Sequence, residues 1–238
     1  MSTILANACI SGQSDSHLAP LSECETFGCR LHPNIIEPLK ILADAAKKQG
    51  FKLKVFSGFR SFNAQMSIWN AKSCGKRAVL SADETVILHG SLQGWDLVQA
   101  ILRWSALPGA SRHHWGTDID IIDAQAINSD YNVQLTQRET QEGGVFEEFH
   151  RWLTPWLEDN PDVGFVRPYQ TPTNADDNAF GIAPEPWHLS YAPAAKIFEE
   201  QFDLDFLAQT IAGSDILLKN EILENLPEIY NRFIRVSG

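Results

Sequence analysis

The hydrophobic positions of this chain change period several times, and each change marks an element. From Pro33, apolar residues at Ile35, Ile36, Leu39, Leu42, Ala43 and Ala46 recur every three or four positions, the spacing of one helix face. Pro33 suits the first turn of that helix and Gly50 its stop. Leu53, Val55 and Ser57 then alternate with Lys52, Lys54 and Phe56, which predicts a strand. A second helix is predicted over 61–72, closing at Ser73-Cys74-Gly75, whereas residues 75–92 show no period and are expected to form a loop insertion. Helical spacing returns over 94–105 with Trp95, Val98, Ile101, Leu102 and Trp104.

Downstream of a turn at Leu107-Pro108-Gly109-Ala110, residues 118–123 alternate aspartate with isoleucine. As a strand they place Asp118 and Asp120 on one face and Ile119 and Ile121 on the other. A helix near 145–158, a strand at 164–167, a Pro-, Asn- and Asp-rich loop over 171–178 and a short strand over 185–191 follow. From Pro193 to about Phe233 the pattern is helical. The expected fold is therefore α+β: a mostly antiparallel sheet flanked by helices in a single domain over 33–200, preceded by an irregular lead-in (1–32) and followed by a C-terminal helical extension (201–238).

Composition narrows the function. A chain of 238 residues can bury one sizeable core. Its net charge of -11 argues against nucleic acid, whose phosphates require Lys and Arg, and against an anionic membrane surface. No apolar run reaches the roughly 18–20 residues of a membrane span, so no membrane insertion is expected. The first ten residues lack the basic start and the apolar core of a leader. The expected location is the cytoplasm, or the periplasm if a leader has been removed. Cys9, Cys24, Cys29 and Cys74 show no Cys-x2-Cys spacing; Cys24 and Cys29 could bridge in an oxidising compartment, and unpaired thiols go with a cytosolic setting.

Two segments carry the chemistry: Ser111-Arg112-His113-His114-Trp115-Gly116-Thr117-Asp118-Ile119-Asp120, and Glu185-Pro186-Trp187-His188. Catalytic zinc sites use three protein ligands plus water. An imidazole from His113 or His114, the Asp120 carboxylate and His188 meet that count, with Glu185 spare as a base. Asp118 shares the face of Asp120 and can orient a ligand histidine, attract a cationic substrate group or simply pair with Arg112. Trp187 is a packing candidate, and Tyr191 suits either packing or recognition. His17, His32, His89 and His150 fit no pattern.

The ordered pattern Ser-x-His-x6-Asp followed by Glu-x-Trp-His resembles the zinc D-Ala-D-Ala carboxypeptidases of the VanY type, within the M15 peptidase group that also includes D-Ala-D-Ala dipeptidases and peptidoglycan L,D-carboxypeptidases. Upstream, Ser57-Gly58-Phe59-Arg60-Ser61-Phe62-Asn63-Ala64-Gln65 is similar to that family's Ser-Gly-Tyr-Arg-Ser block, and the likeness runs from about residue 30 to about 195. The resemblance implies His113, Asp120 and His188 as ligands of one Zn2+, selecting His113 over His114 by its spacing from the aspartate. It implies Glu185 as general base, Arg60 as holder of the terminal carboxylate or the oxyanion, and Ser61, Gln65 and Ser111 as substrate contacts. Asp118, where the family usually has alanine, is added to those contacts or to the residues behind the ligands. The implied substrate is a peptidoglycan stem peptide. The absent leader favours an L,D-carboxypeptidase trimming tetrapeptides in murein recycling over a D,D-carboxypeptidase acting on pentapeptides. An endopeptidase and a zinc-holding binding module without catalysis are the competing classes.

Overall fold

The computed structural model describes residues 5–170 and 181–235, so the expected loop over 171–178 lies outside the described residues. The chain opens with α1 (Asn7–Ile10) and two single 3-10 turns, Leu21–Glu23 and Glu25–Phe27. This opening segment has little regular structure, yet Ile10, Leu18, Cys24 and Leu31 from it are buried. Helix α2 (Ile36–Lys48) follows a 3-10 turn at Pro33–Ile35 and buries Ile36, Leu39, Leu42 and Ala46, the stripe its period predicts. Strand β1 (Leu53–Ser57) leads to α3 (Phe62–Ser73), whose first turn is capped by Ser61: its hydroxyl accepts from the Ala64 amide at 3.2 Å.

Residues 75–92, expected to be a loop insertion, contain a small hairpin of β2 (Val79–Leu80) and β3 (Val86–Ile87). Strands of two residues are too short to show an alternating period, which is why the pattern gave no sign of them. Helix α4 (Gly94–Leu102), strand β4 (Asp118–Asp123), α5 (Gln137–Thr140), α6 (Glu147–Asp159) and β5 (Phe165–Val166) follow. Strand β6 (His188–Tyr191) starts three residues later than expected, because Pro186 and Trp187 form a turn closed by the His188 amide donating to the Glu185 carbonyl at 3.0 Å. The chain ends in α7 (Ala192–Gln201), α8 (Leu204–Ala212), α9 (Lys219–Glu224), α10 (Leu226–Ile229) and a π-helical turn at Tyr230–Ile234.

The main sheet has the order β1-β4-β6-β5 with every pairing antiparallel. Its register fixes the function-bearing positions. Asp118 faces Ser190 across the ladder, Ile119 faces Leu189, and Asp120 faces His188. Alternation sends Ile119, Ile121, Leu189 and Val55 into a core with Leu39 and Leu42 of α2 and Phe149 and Leu153 of α6. A second core joins Trp69 of α3, Val98 and Ile101 of α4 and Phe198 of α7 to Phe206, Leu207, Ile211, Ile222 and Phe233 of the C-terminal helices. Asp118, Asp120 and His188 lie on the sheet face turned away from the first core.

Gly116 makes the reversal between the 3-10 turn and β4, with φ at +68° and no room for a side chain: an added Cβ would lie 2.5 Å from Leu18 Cδ2 and 2.9 Å from the His32 amide nitrogen. Gly50 has a similar φ of +90° but open space around it. Gly116→Ala should therefore lower the midpoint of thermal unfolding well beyond Gly50→Ala. Both pay about 1–2 kcal/mol for left-handed backbone, and only Gly116→Ala adds a clash with the chain. Equal losses in the two variants would contradict this account of the turn.

Candidate metal centre

The 3-10 turn Arg112–Trp115 and the reversal at Gly116 bring His113 back over Asp120, while the ladder between β4 and β6 puts His188 beside it. His113 Nε2 lies 3.2 Å from Asp120 Oδ2, and His188 Nδ1 lies 3.0 Å from Asp120 Oδ1. The two rings meet edge-on with centroids 4.9 Å apart. One donor atom from each of His113, Asp120 and His188 falls within 4.8 Å of the others.

The far side of each imidazole is fixed. His113 Nδ1 donates to the Gly58 carbonyl at 3.0 Å, which leaves Nε2 as the free lone pair. His188 Nε2 lies 3.1 Å from Asp118 Oδ1, which leaves Nδ1 facing Asp120. Asp118 is itself held by Arg112 Nε at 2.6 Å and by the Thr117 hydroxyl at 2.7 Å. Arg112 also donates to the Ser190 hydroxyl at 2.7 Å and to Glu199 at 2.5 Å, and its guanidinium lies over the Trp115 ring. Two oriented imidazoles and a carboxylate, backed by a carboxylate and a carbonyl, are a donor set that fits a divalent cation.

The electrostatics agree. Burial disfavours ionised Asp120, but His113 and His188 outweigh it and hold the carboxyl below its ordinary range. Asp118 is held low as well, burial being overcome chiefly by Arg112. Burial opposes charge on His188, yet its bonds to Asp118 and Asp120 raise it to about 9 in the metal-free chain. Glu185 is different: burial pushes it up to about 7, and His188 only partly offsets this. Its Oε2 stands 3.8 Å from His188 Nδ1, so the turn at Pro186-Trp187 brings both residues to one cavity.

That cavity has a volume of about 750 Å³ and is lined by Arg60, Ser111, His113, Asp120, Glu185 and His188, among others. Arg60 donates to Gln65 Oε1 at 2.9 Å and to the Ser57 hydroxyl at 2.8 Å, with Nη2 3.9 Å from Asp120 Oδ2. Three expected substrate contacts turn out to have other partners. Asp118 is fully buried and spends its oxygens on Arg112, Thr117 and His188, so it stands behind His188 and not in the cavity. Gln65 is buried too; it fixes Arg60 and donates to the Ala106 carbonyl at 2.7 Å. Ser61 is the cap of α3. Ser111 alone of the four lines the cavity.

His114 is buried away from the cation position. Its Nδ1 donates to the Arg60 carbonyl at 2.6 Å, its Nε2 accepts from the Gly109 amide at 3.0 Å, and burial pushes its pKa down to about 3. Trp187 is buried at the turn, and Tyr191 packs its ring against Phe165. The four cysteines are free thiols, so Cys24 and Cys29 do not bridge. Tyr169 went unnoticed in the sequence: its ring sits 4.9 Å from that of His188, its carbonyl accepts from the Glu185 amide at 3.1 Å, and burial raises its phenol so that it stays protonated. Arg167, also unnoticed, donates to the Pro186 carbonyl at 2.9 Å and braces the turn. Neither residue belongs to a short motif, so only the folded contacts reveal them.

An open cavity with two histidines, an aspartate and a nearby glutamate of raised pKa defines a metallohydrolase class of site. Residues 28–194 match the family described as VanY, D-alanyl-D-alanine carboxypeptidase, and the chain belongs to that family of zinc carboxypeptidases. Among its relatives is an uncharacterized protein of Haemophilus influenzae, 34% identical over 128 residues that make up 54% of this chain and 92% of the relative. A D-alanyl-D-alanine carboxypeptidase of Enterococcus faecalis is 29% identical over 202 residues, covering 82% of this chain and 60% of the relative. Among solved structures, a Glu-to-Ala variant of the vancomycin-resistance D,D-pentapeptidase VanY in complex with Zn(II) superposes with a TM-score of 0.50 at 25% identity, covering 88% of this chain and 91% of that one.

Two outcomes follow from the metal centre. Because His188 rises from 6.5 unfolded to about 9 folded, its proton stabilises the metal-free fold fully below pH 6.5, and that contribution is lost as pH climbs through 9. A cation needs the neutral ring, so its affinity should climb over the same interval, with proton release on binding. Calorimetry in buffers of different ionisation enthalpy reads the released proton; no release at pH 7 would contradict the His188 assignment. Asp118→Asn should weaken cation binding about 10–100-fold while leaving its stoichiometry intact, as measured by chelator competition. Unchanged affinity would remove Asp118 from that role.

Proposed function

We propose that the chain is a zinc-dependent carboxypeptidase that releases D-alanine from the C-terminus of peptidoglycan stem peptides. The observation that carries this reading is the placement of Glu185 in the same cavity as His113, Asp120 and His188, with its carboxylate 3.8 Å from His188 Nδ1. A binding module has no need of a spare carboxylate poised at about 7. The named activity of the Enterococcus faecalis relative and the zinc of the VanY structure support the same choice.

Bound zinc lowers the pKa of a water to about 7 and polarises a carbonyl. The protein's own groups do the rest. Glu185 accepts the proton of the attacking water and passes it to the leaving amine. Burial suits it to both steps, because a carboxyl near 7 can be present in either form at neutral pH. The Arg60 guanidinium, fixed by Gln65 and Ser57, offers charge to the developing oxyanion. Tyr169, kept protonated, is a second donor lining the cavity.

Of the two bonds open to such an enzyme, we take the one joining the L-centre of the diamino acid to D-alanine, as in an L,D-carboxypeptidase acting on tetrapeptides. Exposed Glu200 of α7 lines the cavity, only loosely tied to Lys196 at 3.9 Å, and offers a carboxylate to the diamino acid's side-chain ammonium, which in a tetrapeptide sits next to the scissile bond; Glu199 beside it is taken up by Arg112. Cytoplasmic trimming of recycled muropeptides is the corresponding setting, because a D,D-enzyme there would consume the cell's own pentapeptide precursors.

Glu185→Gln should retain one zinc per chain and lose about 10²–10⁴-fold in kcat. Near-normal turnover would exclude Glu185 as the base. Incubated separately with tetrapeptide and pentapeptide muropeptides, the zinc-loaded protein should remove one alanine from the tetrapeptide, as read by mass. Release from the pentapeptide alone would make it a D,D-carboxypeptidase.

A further inference from the structure

Arg112 precedes His113 in the chain, yet its side chain ends among the residues that surround His188. It is buried, and each of its three nitrogens has a different partner. Nε donates to the Asp118 carboxylate at 2.6 Å, Nη2 to the Ser190 hydroxyl at 2.7 Å and Nη1 to Glu199 at 2.5 Å. Asp118 and Ser190 face each other across the β4–β6 ladder, two residues along each strand from the pair Asp120 and His188 and on the same face. Glu199 belongs to α7, which continues directly from β6. The guanidinium lies 4.8 Å from the centroid of the Trp115 ring, and that ring stacks on Phe198 of α7. One side chain thus joins the turn that carries His113 to both strands that carry the other two donors. Neutralising Asp118 needs only the Nε contact; the bond to a neutral hydroxyl on the other strand adds nothing to charge balance and has a different use.

We propose that Arg112 is a positioning residue that clamps the His113 turn to the β4–β6 ladder and so sets the separation of the two imidazoles. The inference goes beyond the carboxypeptidase reading, because it rests on the metal centre alone and holds whatever the substrate. On the β1 side the turn is already tied down: the His113 carbonyl accepts from the Arg60 amide at 3.0 Å, and its Nδ1 donates to the Gly58 carbonyl at 3.0 Å. On the β6 side the guanidinium reaches Ser190 and Glu199, the residues two and eleven positions after His188. A planar guanidinium suits this task, since its rigid fork holds several acceptors at fixed angles and a flexible ammonium does not. Donor atoms that share one ion must be held to about 0.5 Å by residues that are themselves locked. Arg112 is locked by three bonds and an aromatic face.

The test separates clamping from neutralisation of Asp118, by zinc affinity from chelator competition and by the visible spectrum of cobalt-substituted protein. Arg112→Met alone strands a buried carboxylate and should unfold easily, so the informative variants keep the charges balanced. Ser190→Ala removes one bond of the clamp and no charge, and should weaken zinc binding about threefold to tenfold, the worth of one hydrogen bond. Asp118→Ala leaves Arg112 on Ser190 and Glu199; Arg112→Met combined with Asp118→Ala should bind zinc weaker still, by about the same factor, with an altered cobalt spectrum. Arg112→Lys keeps the charge beside Asp118 but loses the fork, so it should unfold near the wild-type midpoint and bind zinc about as weakly as Ser190→Ala. Unchanged affinity and cobalt spectrum in Ser190→Ala, with the double variant equal to Asp118→Ala, would reduce Arg112 to a counter-ion and overturn the proposal. If wild type takes up neither metal, the metal-centre assignment fails, and the clamp is read in the metal-free protein from the nuclear Overhauser contact between the His113 and His188 rings, whose centroids are 4.9 Å apart. Weakening of that contact in Ser190→Ala and Arg112→Lys supports the clamp, and an unchanged contact in both overturns it.

Discussion

The carboxylate of Asp120, held between His113 and His188, is the interaction on which this structure turns. It is nearly fully buried, and its two oxygens lie within 3.2 Å of the two imidazoles. A buried carboxylate survives only beside compensating positive charge. In the metal-free chain that charge comes from protonated His188, and a cation held by these residues would supply it instead. Asp118, one step further from the cavity, has solved the same problem permanently through Arg112. The protein thus places two carboxylates on one strand face and gives each a different counter-charge, one fixed and one exchangeable.

That arrangement depends on the sheet. A slip of one residue in the β4–β6 ladder would send Asp120 into the apolar core with Leu39 and Phe149 and turn Ile119 toward the cavity. The core behind the sheet therefore does more than stabilise: burying Ile119, Ile121 and Leu189 is what locks the register that pairs Asp120 with His188. The second core, built from α3, α4 and the C-terminal helices, contributes part of the cavity's lining. From the second core, Leu102, Trp115 and Phe202 line the cavity opposite the sheet residues Asp120 and His188.

Much of this was legible in the sequence, and for identifiable reasons. The alternation of Asp and Ile over 118–123 has one interpretation as a strand, and it put the aspartates on a common face before any contact was known. The helical stripe of α2 was equally direct. The hairpin over 79–87 was hidden because two-residue strands show no period. Glu185 and His188, three residues apart, would sit on opposite faces of an unbroken strand, so serving one cavity requires a twist or turn at Pro186, and the structure has that turn at Pro186-Trp187. Gln65 was a substrate contact by resemblance, and its burial and bonds show it holding Arg60; for Asp118, contact with a histidine and pairing with Arg112 were among the roles its strand position offered, and the structure has both. Tyr169 and Arg167 act through contacts between segments far apart in sequence, which no motif could announce.

The central claim is that His113 Nε2, His188 Nδ1 and an Asp120 oxygen share one cation. Zinc K-edge X-ray absorption on stoichiometrically loaded protein tests it most directly. The account predicts a first shell of nitrogen and oxygen at about 2.0–2.2 Å with two imidazole scattering patterns and no sulfur. A sulfur shell near 2.3 Å, or a single imidazole, would contradict it.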